Sequence, residues 1–210
     1  MESIPKIFVI NLPHRTDRLQ SITAELERME LLDKMEIIEG IMFHVHGTGT
    51  AGITEAHARC IELAKERGYE MIMILQDDCK FLVDKDKFKN EIETFLNTAP
   101  SDWNGFWFGS FWQSDDTDVQ YHNQNYLKSD CFNQDTGTLI HSRFYTTLIE
   151  GYRFCKAKYI ETGDDQYNID QWIQRNNENV YVSRLKLCGQ ADNVSDRLFM
   201  IMNGGDCLPL

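Results

Sequence analysis

What this sequence lacks narrows its reading before any motif is considered. No Pro/Gly/Ser-rich linker, repeat period or low-complexity tract interrupts its 210 residues, so the expectation is a single domain over residues 1–210 with a sizeable core. The N-terminus, Met1-Glu2-Ser3-Ile4-Pro5-Lys6, has no basic region followed by a long apolar stretch, and no apolar run is long enough to cross a bilayer. The chain reads as soluble, with no transmembrane segment and no legible address. C-x-x-C pairs are missing as well: Cys60, Cys79, Cys131, Cys155, Cys188 and Cys207 are widely separated, which points to neither a zinc site nor a dithiol redox centre. A chain this long can build a core without staples, so these are read as reduced, mostly buried thiols in a cytoplasmic or other reducing compartment. Positive charge is scarce. Lys and Arg number 21 against 33 Asp and Glu, and the net charge of −12 repels nucleic acid and anionic membrane. An anionic ligand would need a local cation.

What is present is most concentrated at Met71-Ile72-Met73-Ile74-Leu75-Gln76-Asp77-Asp78. A continuous apolar run predicts a strand buried on both faces, and ligands of open α/β sheets bind in the crevice beyond the carboxyl ends of such strands. Two adjacent carboxylates there repel each other, a cost that a divalent cation with oxygen preference offsets. A solvated turn is the alternative.

The remaining pattern alternates strand and helix. Lys6–Ile10 predicts a strand leaving through the polar loop Asn11–Asp17, and Leu19, Ile22, Leu26 and Met29 recur at helical spacing. Ile37-Ile38 and Ile41–Phe43 are weaker strand candidates, and Thr54 is placed to cap a helix running to Gly68. Further on, a helix is expected over Asp86–Asn97, strands at Gly105–Gly109 and Thr138–Ile140, and a helix over Phe144–Phe154 with Ser142 as cap. Another helix is expected over Ile169–Arg175, then strands at Val180–Val182 and Leu185–Leu187. Residues 113–136 read as a long functional loop or a short hairpin. The sum is an α/β fold with a mainly parallel sheet.

Five further motifs carry chemistry and a bland alternative each. Gly47-Thr48-Gly49-Thr50-Ala51-Gly52 matches G-x-G-x-x-G before a helix, the pattern of an NAD(P)-binding oxidoreductase, but a strand-helix unit already precedes it and a mobile loop explains it as well. His44 and His46 would share one face of a strand, suiting a transition metal, or belong to a polar loop. His57, one turn into its predicted helix, either meets a ligand hydroxyl or is a packed core histidine. Arg15 and Arg18 offer the cation that a diphosphate requires, or form a solvated helix start. In the acid-rich stretch Glu161–Trp172, Asp164 and Asp165 look solvated, whereas Asp170 lies between Ile169 and Trp172, where partial burial would raise its pKa toward general-base work. A helix-dipole carboxylate is the alternative.

Taken together, these segments resemble glycosyltransferase family 25, which contains lipooligosaccharide and procollagen galactosyltransferases. Ile7–Leu12 with Arg15 and Arg18 resembles its opening strand and arginine loop, and Glu55-Ala56-His57 its second helix. Ile74–Asp78 resembles its strand ending Glu-Asp-Asp, Ile169-Asp170-Gln171 a later aspartate motif, and Gln190 with Ser195-Asp196 its closing Gln and Ser-Asp. The resemblance implies a GT-A-like (Rossmann-like) fold, a UDP-sugar donor, Mn²⁺ or Mg²⁺, and inverting transfer of galactose or glucose to a hydroxyl of a glycan, lipooligosaccharide or hydroxylysine acceptor. It implies Asp78 and Asp77 as metal ligands and Asp170 as base. It assigns Asn11, Arg15, Arg18, His57, Gln76, Asp77, Gln190, Ser195 and Asp196 to substrate. Gln76 replaces the family's glutamate, hydrogen-bonding without charge, and Thr138 stands at its tyrosine, where donor or acceptor recognition departs from the family; Gln76 and the compact length of the chain favour a non-catalytic nucleotide-sugar or glycan-binding module as the alternative.

Overall fold

The computed structural model describes residues 4–108, 119–121, 124–129, 136–176, 179–191, 193–195, 200–203 and 206–209. The first part alternates β1 (Lys6–Asn11), α1 (Thr16–Arg28), β2 (Met35–Glu39), α2 (Thr50–Glu66) and β3 (Met71–Gln76). These follow the apolar periodicity closely, because unbroken Ile/Val/Met/Phe runs have nowhere to go but a sheet covered on both faces. Strand alternation then sorts the side chains. Ile7, Val9, Met73 and Leu75 pack with Ile22 and Leu26 of α1 and with Phe88, Ile92 and Phe95 of α3 (Lys85–Thr98), while Phe8, Ile10, Ile72 and Ile74 face the opposite way. There they meet Ala56 and Ile61 of α2, Leu148 and Tyr152 of α4 (Tyr145–Thr162) and Ile173 of α5 (Ile169–Asn176). The result is a three-layer α/β/α arrangement.

The other strands are β4 (Cys79–Phe81), β5 (Gly105–Trp107), β6 (Val119–Tyr121), β7 (Tyr126–Ser129), β8 (Gly137–His141), β9 (Val180–Ser183), β10 (Cys188–Gln190), β11 (Asn193–Ser195), β12 (Met200–Asn203) and β13 (Asp206–Pro209). Among the described residues the main sheet has eight strands in the order β2-β1-β3-β8-β5-β9-β7-β6. The pairings give six of them one direction, with only β7 and β8 opposed, so the sheet is mixed and mainly parallel. Strand β8 enters antiparallel between β3 and β5, while the order of the parallel strands reverses at β1, flanked by β2 and β3. In open α/β sheets ligands bind outside the carboxyl ends of the strands at such a reversal.

Several expectations shift. Residues 113–136 hold the hairpin β6–β7 in their described part. Ile41–Phe43 forms no strand, because its backbone passes over the first turn of α2, where a Cβ on Gly52 would overlap the Ile41 carbonyl oxygen. Helix α2 begins at Thr50, not Thr54, whose hydroxyl donates to Thr50 O at 2.8 Å inside the helix. Helix α4 continues beyond Phe154 to Thr162 and stops at Gly163, which adopts a left-handed φ of 69°. The strand expected at Leu185–Leu187 falls instead at β10, paired with β4 in a separate two-stranded sheet. No helix of the described residues is long and apolar enough to cross a membrane. Cys60, Cys79, Cys155 and Cys188 are buried and in no disulfide, while Cys131 and the side chain of Cys207 lie outside the described residues.

Candidate functional site

The parallel register Ile10↔Gln76 carries β1 and β3 to the same edge, and Asp77 extends the ladder by donating its N–H to Ile10 O at 3.1 Å. Asn11 and Asp77 are therefore neighbours just beyond it. Asn11 Nδ2 donates to Asp77 Oδ2 at 2.8 Å and to Arg15 O at 3.1 Å, while Arg18, in the first turn of α1, donates from Nη1 to Asp77 Oδ1 at 3.0 Å. Both carboxylate oxygens of Asp77 are thus matched by residues 66 and 59 positions away.

Asp78 stands differently. Arg18 Nη1 lies 3.6 Å from its Oδ2, but its Oδ1 is buried with no hydrogen-bond partner among the described residues. Burial raises its pKa to about 6, the Arg18 charge pulling it back and the Asp77 carboxylate pushing it further up. Arg15 also lowers it, so both arginines act on this carboxylate. Arg15 itself forks onto Asp17 at 2.9 and 2.7 Å.

Gln190 arrives through β10, whose register pairs it with Cys79, and the next residue, Ala191, donates its N–H to Asp78 O at 2.7 Å. Ser195 is in β11, its side chain outside the described residues, as is Asp196 altogether. Gln76, half-buried, ends β3, with its N–H donated to Thr136 O at 3.1 Å.

On the opposite sheet face, His57 is two turns into α2 rather than one. It is 2% exposed, donates from Nδ1 to Ile53 O at 2.9 Å, and meets Tyr152 edge-on at 6.3 Å. Burial lowers its pKa, so the imidazole is neutral, against an opposing pull from the charge of Asp170. Asp170 is in the first turn of α5, whose Ile169 and Ile173 pack in the same core cluster as Ala56 and Ile61 of α2. Its N–H is accepted by Asn168 Oδ1 at 3.1 Å. Helix α5 is seated by Ile169, Ile173 and Trp172, whose indole occupies the space a Cβ on Gly151 would need. Asp164 and Asp165 are exposed.

The Gly47–Gly52 loop is tied down: His46, at φ 56°, donates from Nε2 to Ile160 O at 2.9 Å, and Thr48 Oγ1 lies 2.6 Å from Tyr159 OH. His44 and His46 lie in this loop and not on a strand.

Among the described residues no group of three His, Cys, Asp or Glu is arranged to hold a metal. A hard carboxylate oxygen without a partner, Asp78 Oδ1, would suit a Mg²⁺-like ion, which is commonly held by one or two carboxylates. The unmatched Asp78 Oδ1 is the observation that makes the fit.

No protein-family model and no curated protein sequence matches the chain. Among solved structures, a glycosyltransferase involved in the glycosylation of the major capsid of PBCV-1 aligns over 85% of this chain and 81% of its own, at 13% identity and a TM-score of 0.52. The fold is GT-A-like. Mannose-1-phosphate geranyltransferase from Thermus thermophilus aligns over 86% of this chain and 73% of its own at 9% identity with a TM-score of 0.49, and A197 from STIV over 99% and 97% at 7% identity with 0.46. In a GT-A-like sheet, Asn11, Arg18, Gln76, Asp77 and Asp78 all stand at the carboxyl edge where ligands of α/β sheets bind. Sequence reasoning missed the engagement of Asp77 by Arg18 of α1, a pairing between residues 59 positions apart that no local pattern records.

Proposed function

We propose that the chain is a metal-dependent inverting glycosyltransferase, resembling family 25, that moves a hexose, galactose or glucose, from a UDP-sugar to a hydroxyl of a glycan or hydroxylysine-type acceptor. The observation that carries this reading is the buried, unmatched Oδ1 of Asp78 beside Arg18 at the carboxyl edge of a GT-A-like sheet.

In this reading Asp78 holds Mn²⁺ or Mg²⁺, which when bound supplies neutralisation of the charge that develops on the departing diphosphate. Asp77, both oxygens engaged, holds Arg18 and Asn11 in place. Arg15 and Arg18 supply the local positive charge that a protein of net charge −12 otherwise denies an anionic donor. Gln76 and Gln190 flank Asp77 and Asp78 and offer amides to donor hydroxyls, and Ser195 and Asp196 keep the donor-side role that the resemblance assigns them. Asp170 accepts the proton of the attacking hydroxyl, and neutral His57 stands with it on the α2 side.

Release of UDP from a UDP-hexose should require Mn²⁺ and disappear in Asp78→Ala. A screen of nucleotide sugars showing neither turnover nor binding would overturn the reading. The lack of a three-residue metal cluster among the described residues, together with Gln76, favours a second reading, a non-catalytic nucleotide-sugar-binding module. Calorimetric donor binding without transfer to any acceptor would select it.

A further inference from the structure

Thr136 is 1% exposed, and its Oγ1 is buried with no hydrogen-bond partner among the described residues. A hydroxyl shut away from water without a partner costs free energy; Tyr145 OH and Ser183 Oγ share that state, and what distinguishes Thr136 is its place beside Gln76. Its position is defined. Leu75↔Gly137 is the last registered pair of β3 and β8, which sets Thr136 opposite Gln76, and the Gln76 N–H donated to Thr136 O at 3.1 Å holds it there. Alternation along β8, with Leu139 in the α1/α3 core and Ile140 in the α2/α4 core, sends the Thr136 side chain to the α2 side, as alternation along β3 does for Gln76. The neighbouring Gly137 is closely packed on the other face: a Cβ there would meet Phe108 at 2.9 Å and Cys188 Sγ at 3.0 Å. Two buried polar atoms without partners, Asp78 Oδ1 and Thr136 Oγ1, therefore flank Gln76 at the carboxyl end of β3.

Resting on the glycosyltransferase reading, we infer that Thr136 is a donor-specificity residue whose hydroxyl hydrogen-bonds a sugar hydroxyl of the nucleotide sugar. A hydroxyl both donates and accepts, which suits it to another hydroxyl better than to a phosphate. A site built to match a substrate hydroxyl also discriminates against analogues lacking it.

The experiment is calorimetric titration of UDP and of UDP-hexose, each with Mn²⁺, into the wild type, Thr136→Val and Thr136→Ser, with melting temperatures of the ligand-free proteins. Thr136→Val, which exchanges hydroxyl for methyl, should weaken binding about 3- to 10-fold, as loss of one neutral hydrogen bond does. Its ligand-free melting temperature should stay level or rise, and Thr136→Ser should bind like the wild type. Weakening with UDP alone as well as UDP-hexose assigns the contact to ribose; weakening with UDP-hexose only assigns it to the hexose. Equal affinity of wild type and Thr136→Val overturns the inference and leaves the glycosyltransferase reading standing. A lowered ligand-free melting temperature with unchanged affinity overturns it too, making the hydroxyl structural. A wild type that binds no nucleotide sugar overturns both. Should the valine variant not fold, Thr136→Ala against Thr136→Ser makes the same comparison.

Discussion

On the α1 side of the sheet's carboxyl edge, Asn11 and Arg18 occupy both oxygens of Asp77. On the α2 side, Thr136 is just as deeply buried and its hydroxyl meets nothing among the described residues. Asp78 lies between the two, one oxygen near Arg18 and the other without a partner. The contrast separates scaffold from site. A buried polar group that is fully matched stabilises a unique arrangement, whereas one left unmatched is costly until something binds it. Adjacent aspartates thus differ: both oxygens of Asp77 are engaged by Asn11 and Arg18, whereas Asp78 keeps the unmatched oxygen on which the proposed metal-binding role rests.

The contrast breaks most visibly at Asp77. Asp77→Ala removes the 3.0 Å hydrogen bond from buried Arg18, leaving Asp78 at 3.6 Å as its carboxylate neighbour, and should lower stability by up to about 3–5 kcal/mol in urea denaturation, with Arg18→Met partly restoring the double variant. If Asp77→Ala melts like the wild type, the α1 side is no scaffold. Next in size is Gly151→Ala, where the new methyl displaces the Trp172 indole and α5 with it. About 1–3 kcal/mol of stability should be lost, and UDP release should fall further than the stability loss explains, because Asp170 moves.

Asp78→Asn should act in the other direction. Removing an ionised carboxylate whose burial is unfavourable should stabilise the metal-free protein by about 1–2 kcal/mol at pH 7.5, while abolishing stabilisation by Mn²⁺. A destabilised variant would make Asp78 part of the scaffold. The smallest effect is in pH dependence. The Asp78 pKa is raised from 3.8 to about 6, so its protonated form favours the fold. That contribution is complete below the unfolded value and is lost as pH rises through about 6. The His57 pKa is lowered, so its contribution is present above its unfolded value and is lost as pH falls through its folded one. The two oppose each other in the wild type. Asp78→Asn removes one arm, and its stability between pH 7 and 5 should fall more steeply than that of the wild type, by less than about 1 kcal/mol per pH unit.

Much of this was legible because burial writes itself into strand sequences. The runs at Lys6–Ile10 and Met71–Leu75 mark β1 and β3, and the helical spacing of Leu19, Ile22 and Leu26 marks α1. Asp77 and Asp78 could be placed at the sheet edge because strand length alone puts them there. The limits are equally physical. Ile41–Phe43 looks like a strand by composition, but its backbone is held against Gly52, and Met42 and Phe43 are exposed. Leu185–Leu187 has the composition of a strand, yet the pairing with β4 begins at Cys188. The glycine pattern at Gly47–Gly52 carries no record of the His46 and Tyr159 contacts that tether it to α4.

By itself the sequence determined the alternation of strand and helix, the two-faced burial of β1 and β3, and the location of the paired acids, because each follows from local periodicity and strand length. Only the tertiary structure decided that β8 enters antiparallel between β3 and β5, that Arg18 and Asn11 claim Asp77, and that Asp78 and Thr136 keep unmatched atoms. These are pairings between residues far apart in the chain, and no local pattern records which polar group will find a partner once the layers close.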